Sequence, residues 1–208
     1  MLARRLTSAA LHKGRPLTAR VTRFPAANAG VAAVEFALVL PVMVALLLGM
    51  SEITQAVSID RKLTLVSRSL ADLSSRDKEL TNAMLTDVFS AASVIMQPVD
   101  SSRLRMVISS MEVTKTGTNY TGKALWSCGR GSGAQTRPST TTYTDVPVGF
   151  RNATDTTKSY YMQIDVTLPY TPMFGKALTG TINLTENTPW PIRNDGTVTL
   201  KDSCPAST

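Results

Sequence analysis

The chain has 208 residues, with 22 Lys or Arg against 15 Asp or Glu, a net charge of +7 and a single histidine. That length accommodates one domain of ordinary size plus a short anchor and excludes two sizeable cores. The charge also excludes something: Arg4, Arg5, Lys13, Arg15, Arg20 and Arg23 all fall in the acid-free first 30 residues, so the remaining 16 basic residues face 15 acidic ones. A near-neutral body with no basic patch and no aromatic-interleaved run gives no footing to nucleic-acid binding.

In chain order, residues 1–30 read as a basic leader, and the stretch "NAGVAAVEFALVLPVMVALLLGM" (28–50) follows. From Val31 to Met50 the only charge is Glu35. Twenty residues at 1.5 Å rise span about 30 Å, the thickness of a hydrocarbon core. Positive residues before an apolar segment stay on the cytoplasmic side, so the expected topology is N-terminus in and body out. A cleaved secretory signal needs a small-x-small cut site, and Gly49-Met50-Ser51 is a poor one. The apolar segment is therefore expected to remain attached.

Ile53, Val57, Leu63, Val66, Leu70 and Leu73 continue at mostly three- and four-residue spacing, with neither Pro nor Gly between 51 and 76. This predicts an amphipathic helix continuous with the anchor, about 65 Å in all. A second helical pattern begins near Lys78 (Leu80, Met84, Val88, Ala92, Ile95) and stops at Pro98. Residues 51–97 are thus amphipathic helices and 98–208 a β-rich region.

In that region 160–168 alternates apolar and polar residues as a half-buried strand does, and 104–113 reads as a second strand, more apolar on both faces. Shorter strands are expected at 180–185 and 196–200. The polar, Gly/Ser/Thr-rich stretch 114–159 is expected to be a long loop with room for a hairpin inside it. The fold class that follows is α+β: a long N-terminal helix, transmembrane then amphipathic, with a second helix and a small antiparallel sheet.

The two cysteines, Cys128 and Cys204, both lie outside the anchor. In an oxidising compartment a disulfide between them would tie the polar stretch to the tail, contributing about 4 kcal/mol by chain entropy. The alternative is two unrelated free thiols. The sole histidine, His12, sits in the leader, so the body has no Ser-His-Asp or Cys-His machinery and no histidine-ligated zinc. No G-x-S-x-G, P-loop or G-x-G-x-x-G motif is present. The expectation is no catalytic residue, no metal and no cofactor.

"AGVAAVEFALVLP" resembles the amino-terminal signature of the TadE-like pseudopilins of the tight-adherence (Tad, or Flp) pilus system. Gly30 matches the residue before the prepilin-peptidase cut, Val31 the new amino terminus, Glu35 the fifth-position glutamate and Phe36 the aromatic after it. The resemblance is dense over 29–50, looser through "DRKLTLVSRSLADLSSR", and thins to a Y-x-P turn in "VTLPYTPMFG" (166–175). The leader is long for a major Flp pilin and the body far larger, which favours a minor subunit. The resemblance implies a pilin-like, single-pass protein of the bacterial inner membrane with a periplasmic domain. The implied partners are a prepilin peptidase, a second minor pseudopilin or the major Flp pilin, the inner-membrane assembly platform and membrane lipid. It also implies that Glu35 pairs with the ammonium of Val31 after cleavage, in the same subunit or a neighbour. The alternative is an uncleaved, signal-anchored periplasmic structural or binding protein.

Apart from the family, Ala29, Ala33, Ala37, Pro41, Ala45 and Gly49 fall four apart. Such small-xxx-small ridges let a second helix approach closely, and Glu35, about 200° from Ala33, points away from this one. Pro41 lacks the N–H that would bond to Ala37 and is expected to loosen the helix there.

Overall fold

The computed structural model describes residues 28–174, 180–194 and 196–205. Most of the expected leader, with His12, therefore lies outside the described residues, as does the side chain of Ala29. Helix α1 runs Asn28–Ser74, 47 residues with Pro41 inside. The chain divides into two units, one through Leu46 and the other from Leu47 to the end.

The second unit is the body. From α1 it buries Ile59, Leu63, Val66 and Leu70, at 4-3-4 spacing. Ile53 and Val57, expected on the same face, are exposed, so the buried stripe begins a turn and a half later than the spacing implied. Leu80, expected in the second helix, instead belongs to a two-residue strand, β1 (Glu79–Leu80). Thr81 then caps α2 (Asn82–Met96) by accepting the Met84 N–H at 3.3 Å. Helix α2 buries Leu85, Val88, Phe89, Ala92 and Met96. At its far end Lys62 Nζ donates to the carbonyls of Gln97 (2.5 Å) and Met96 (3.3 Å), placing a cation where the helix leaves carbonyls unpaired.

The remaining strands are β2 (Arg105–Thr116), β3 (Asn119–Arg130), β4 (Thr142–Tyr143), β5 (Ser159–Tyr170), β6 (Ile182–Pro191) and β7 (Thr199–Leu200). Five form one antiparallel sheet in the order β4-β3-β2-β5-β6, while β1 and β7 pair in parallel. The expectation of a loop over 114–159 is corrected at its start. Residues 119–130 form a full strand that pairs with β2 from Thr116↔Asn119 to Met106↔Arg130. Gly117, at φ +62°, opens the two-residue turn between them, a conformation glycine adopts without the Cβ penalty. The strand expected at 180–185 runs on to Pro191, and that at 196–200 is reduced to two residues.

Both faces of the sheet are covered. Met106, Ile108, Cys128, Met162, Ile164 and Val166 pack with the helices. Met111, Val113, Ala124 and Tyr161 pack on the other side with Val146 and Ala153 from the β3–β5 connection. The switch of faces within β3 comes from a bulge: Ser110 pairs with Trp126 but Met111 with Ala124, leaving Leu125 as the extra residue. Each buried Leu, Ile or Val contributes about 1.5–3 kcal/mol, so the larger, helix-side cluster carries most of the body's stability.

Candidate functional site: the amino-terminal helix

The processing and helix-packing residues singled out by sequence lie on the amino-terminal stretch of α1. Val31, Glu35 and Phe36 are exposed, with Val31 at 59% and Phe36 at 61%. Ala33, Ala37, Pro41, Ala45 and Gly49 are exposed as well. The helix is long and apolar enough to cross a membrane, and it is a candidate membrane anchor. A chain of exposed Val, Leu, Met and Phe side chains is stable in lipid, where every backbone group is satisfied within the helix.

Gly30 and Val31 stand in the first turn, where a helix leaves its N–H groups unpaired and frays most readily. A Cβ added at Gly30 would meet nothing within 4 Å, so packing does not demand a glycine there. Glu35 has no hydrogen-bond or ion-pair partner among the described residues. Counting from Asn28 it lies beyond the first turn; counting from Val31 it is the fifth residue. Residues i and i+4 of a helix stand about 5–6 Å apart at Cβ, and Val31 and Glu35 have that spacing.

The small-residue ridge winds around the helix, because each four-residue step advances 400°, a drift of about 40°. Three consecutive members therefore face one direction, and a partner helix would cross the ridge at an angle, as small-xxx-small pairs do at about −40°.

In the body, Cys128 and Cys204 form a disulfide across 76 residues, with Cα atoms 5.4 Å apart. Trp126 Nε1 donates to the Val198 carbonyl at 2.7 Å, holding the same tail to β3. The outer face of the sheet carries a polar cluster that sequence reasoning missed. Arg137 binds Asp165 through two N–H groups (Nε 2.9 Å, a terminal nitrogen 3.0 Å), Gln163 Nε2 donates to the same carboxylate at 3.0 Å, and the guanidinium lies 5.2 Å from the Tyr143 ring centre. An open cleft of about 550 Å³ adjoins it, lined in part by Tyr143, Asp145, Tyr161 and Asn187. Burial pushes the Tyr161 phenol above its ordinary range, with the nearby Arg137 opposing. No spacing signal linked residue 137 to 165; the β3–β4 connection folds back over the sheet, the Arg137 N–H donating to Ser127 Oγ on β3 at 2.9 Å, and so brings them together.

Glu52 was missed as well. Its carboxylate accepts from the Tyr170 hydroxyl (3.0 Å) and from the Phe174 N–H (2.7 Å), tying α1 to the chain after β5. The Y-x-P turn at 170–172 was the available signal: Tyr170 makes that contact and Pro172 is buried.

Residues 30–72 match a family model, TadE-like protein. No curated protein and no solved structure matches the chain. The match begins at Gly30, takes in Val31, Glu35 and Phe36, and ends within the last turn of α1. The body beyond Ser74 lies outside it. Residues 30–72 of the chain are thus similar to a TadE-like protein, and the similarity is confined to the amino-terminal helix.

Proposed function

We propose that this is a minor pseudopilin of the Tad system, cut by prepilin peptidase between Gly30 and Val31. It stays in the inner membrane by residues 31–50 and displays its α+β body in the periplasm. The observation that carries the reading is the family match, which begins at Gly30 and spans Glu35. The protein performs no chemistry of its own. Its work is assembly: starting or capping a pilus together with a second pseudopilin or the major Flp pilin on the inner-membrane platform.

Physical chemistry supports the division of labour along the helix. A carboxylate in a spanning helix costs about 2.5–3.5 kcal/mol at the bilayer centre and less near the edge. Cleavage supplies Glu35 with a helix amino terminus and an ammonium, either its own or a neighbour's. On the opposite face Ala33, Ala37 and Pro41 present the smooth surface on which a second helix packs.

The test is intact-mass and amino-terminal analysis of the protein expressed with and without its prepilin peptidase, beside Gly30→Leu. A peptidase-dependent start at Val31, absent in Gly30→Leu, is the expected result. Because the position is open, loss of processing in that variant reports recognition by the peptidase rather than misfolding. A chain that still begins at Met1 in the presence of the peptidase refutes the pseudopilin route and favours an uncleaved anchor.

A further inference from the structure

We propose that the turn following β5 is a second membrane contact, in which Met173 and Phe174 rest in the interface of the outer leaflet of the inner membrane, positioned there by Glu52. This rests on reading Val31–Met50 as the membrane span. Glu52 lies two residues, about 3 Å of helix, past the end of that run. The interface on each side of a hydrocarbon core is about 5–8 Å thick, so Glu52 falls inside it. The carboxylate receives one donor on each oxygen, Tyr170 Oη at 3.0 Å and the Phe174 N–H at 2.7 Å. The turn is therefore held at the axial level of Glu52.

Side-chain placement agrees. The turn buries Pro172 but turns Met173 and Phe174 outward, at 76% and 56% exposure. At neighbouring levels of α1, Leu47, Met50 and Ile53 are also exposed, at 70%, 73% and 66%. Full burial on α1 begins only at Ile59, with Leu48, Glu52 and Ala56 half-buried before it. At this end the body thus presents apolar side chains from two separate segments, bridged by a single carboxylate, at the depth where phenylalanine and methionine are at home in lipid. Glu52 can enter that zone because both its oxygens are occupied by protein donors, which offsets loss of water. The body then touches the bilayer at two places rather than hanging from one helix.

The test uses the full chain in nanodiscs of phosphatidylethanolamine and phosphatidylglycerol. One cysteine at a time is introduced and labelled with an environment-sensitive fluorophore, under non-reducing conditions that leave the Cys128–Cys204 bridge intact. Met173→Cys is compared with Val148→Cys, an exposed site on the 3-10 turn Val148–Phe150, and with Leu40→Cys within the span. Headgroup-nitroxide lipid is expected to quench the label at 173 about threefold more than at 148, and Glu52→Ala to bring 173 down to the level of 148. If 40 is quenched by acyl-chain nitroxide while 173 behaves like 148, the contact is overturned and the anchor stands. If 40 is not quenched by lipid at all, the anchor reading fails and the contact with it. Quenching at 173 that survives Glu52→Ala overturns the role given to that carboxylate.

Discussion

Breaking the Cys128–Cys204 disulfide should lower the stability of the body by about 2–4 kcal/mol, and the size follows from the length of chain it closes. A bridge across 76 residues removes loop-closure entropy from the unfolded ensemble worth about 4.5 kcal/mol at 25 °C. The tail keeps other ties when the bridge is cut: the Trp126–Val198 hydrogen bond, Asn82 Nδ2 donating to the Ser203 carbonyl, and the β1–β7 pair. These are noncovalent and do not constrain the unfolded chain, so most of the entropic term should be felt. Cys204→Ala is the cleaner perturbation, because Cys128 is fully buried among the helix-side core and truncating it would add a cavity. Guanidinium unfolding of the full chain in detergent, followed by tryptophan fluorescence, reads the body alone, since both tryptophans, Trp126 and Trp190, lie there. The midpoint should fall and the slope should rise, because the uncrosslinked unfolded chain exposes more surface. In a thermal scan the shift should be roughly 10 °C. Equal midpoints for Cys204→Ala and the oxidised wild type would refute the reasoning, as would a change of midpoint that reduction of the wild type does not reproduce.

Gly131→Ala should destabilise the body by about 2–4 kcal/mol in the same assay: φ is +96° there and an added Cβ would stand 2.1 Å from the Leu104 carbonyl oxygen, so backbone must move; a loss under 1 kcal/mol would count against that geometry. Because burial raises the Tyr161 phenol, and burial with the Glu52 contact raises Tyr170, the folded state holds these protons more tightly than the unfolded one. Their contribution is fully present below the unfolded value of about 10 and is lost as pH rises through the folded values, so stability should decline on the alkaline side. Tyr161→Phe should flatten that decline in unfolding midpoints taken from about pH 8 to 11, and an unchanged alkaline limb would contradict it. Ala37→Ile with Ala45→Ile should cut recovery of partner subunits in pull-downs about tenfold while leaving the mature mass unchanged, since bulk on the ridge bars close helix approach but does not touch Gly30; undiminished recovery would remove the ridge from the interface.

Much of the helical half was readable because its signals are local. Twenty residues with one charge leave few alternatives to a spanning helix, and the 3-4 spacing of Leu63, Val66 and Leu70 records a face buried against one partner. Strand β5 was readable for the same reason, since Tyr161 through Leu168 alternate between two faces that are both packed by protein. Strand β3 was not. Its sequence, "NYTGKALWSCGR", holds two glycines and changes face at Leu125, so neither composition nor period marks it as a strand. It is extended because β2 offers it a ladder, an interaction that no window of its own residues contains.

By itself, then, the sequence determined the long apolar helix that is a candidate anchor, the TadE-like resemblance that a family match over 30–72 shares, and the α+β class. These depend on contacts within a helical turn, on strand alternation, or on the chain's encounter with lipid, and so leave a period in the sequence. Tertiary structure alone decided where the protein's own cover on α1 begins, which acid meets Arg137, and which turn Glu52 holds. Those pairings join residues 28 to 122 positions apart, and a side chain's sequence neighbours carry no record of what the fold will bring against it.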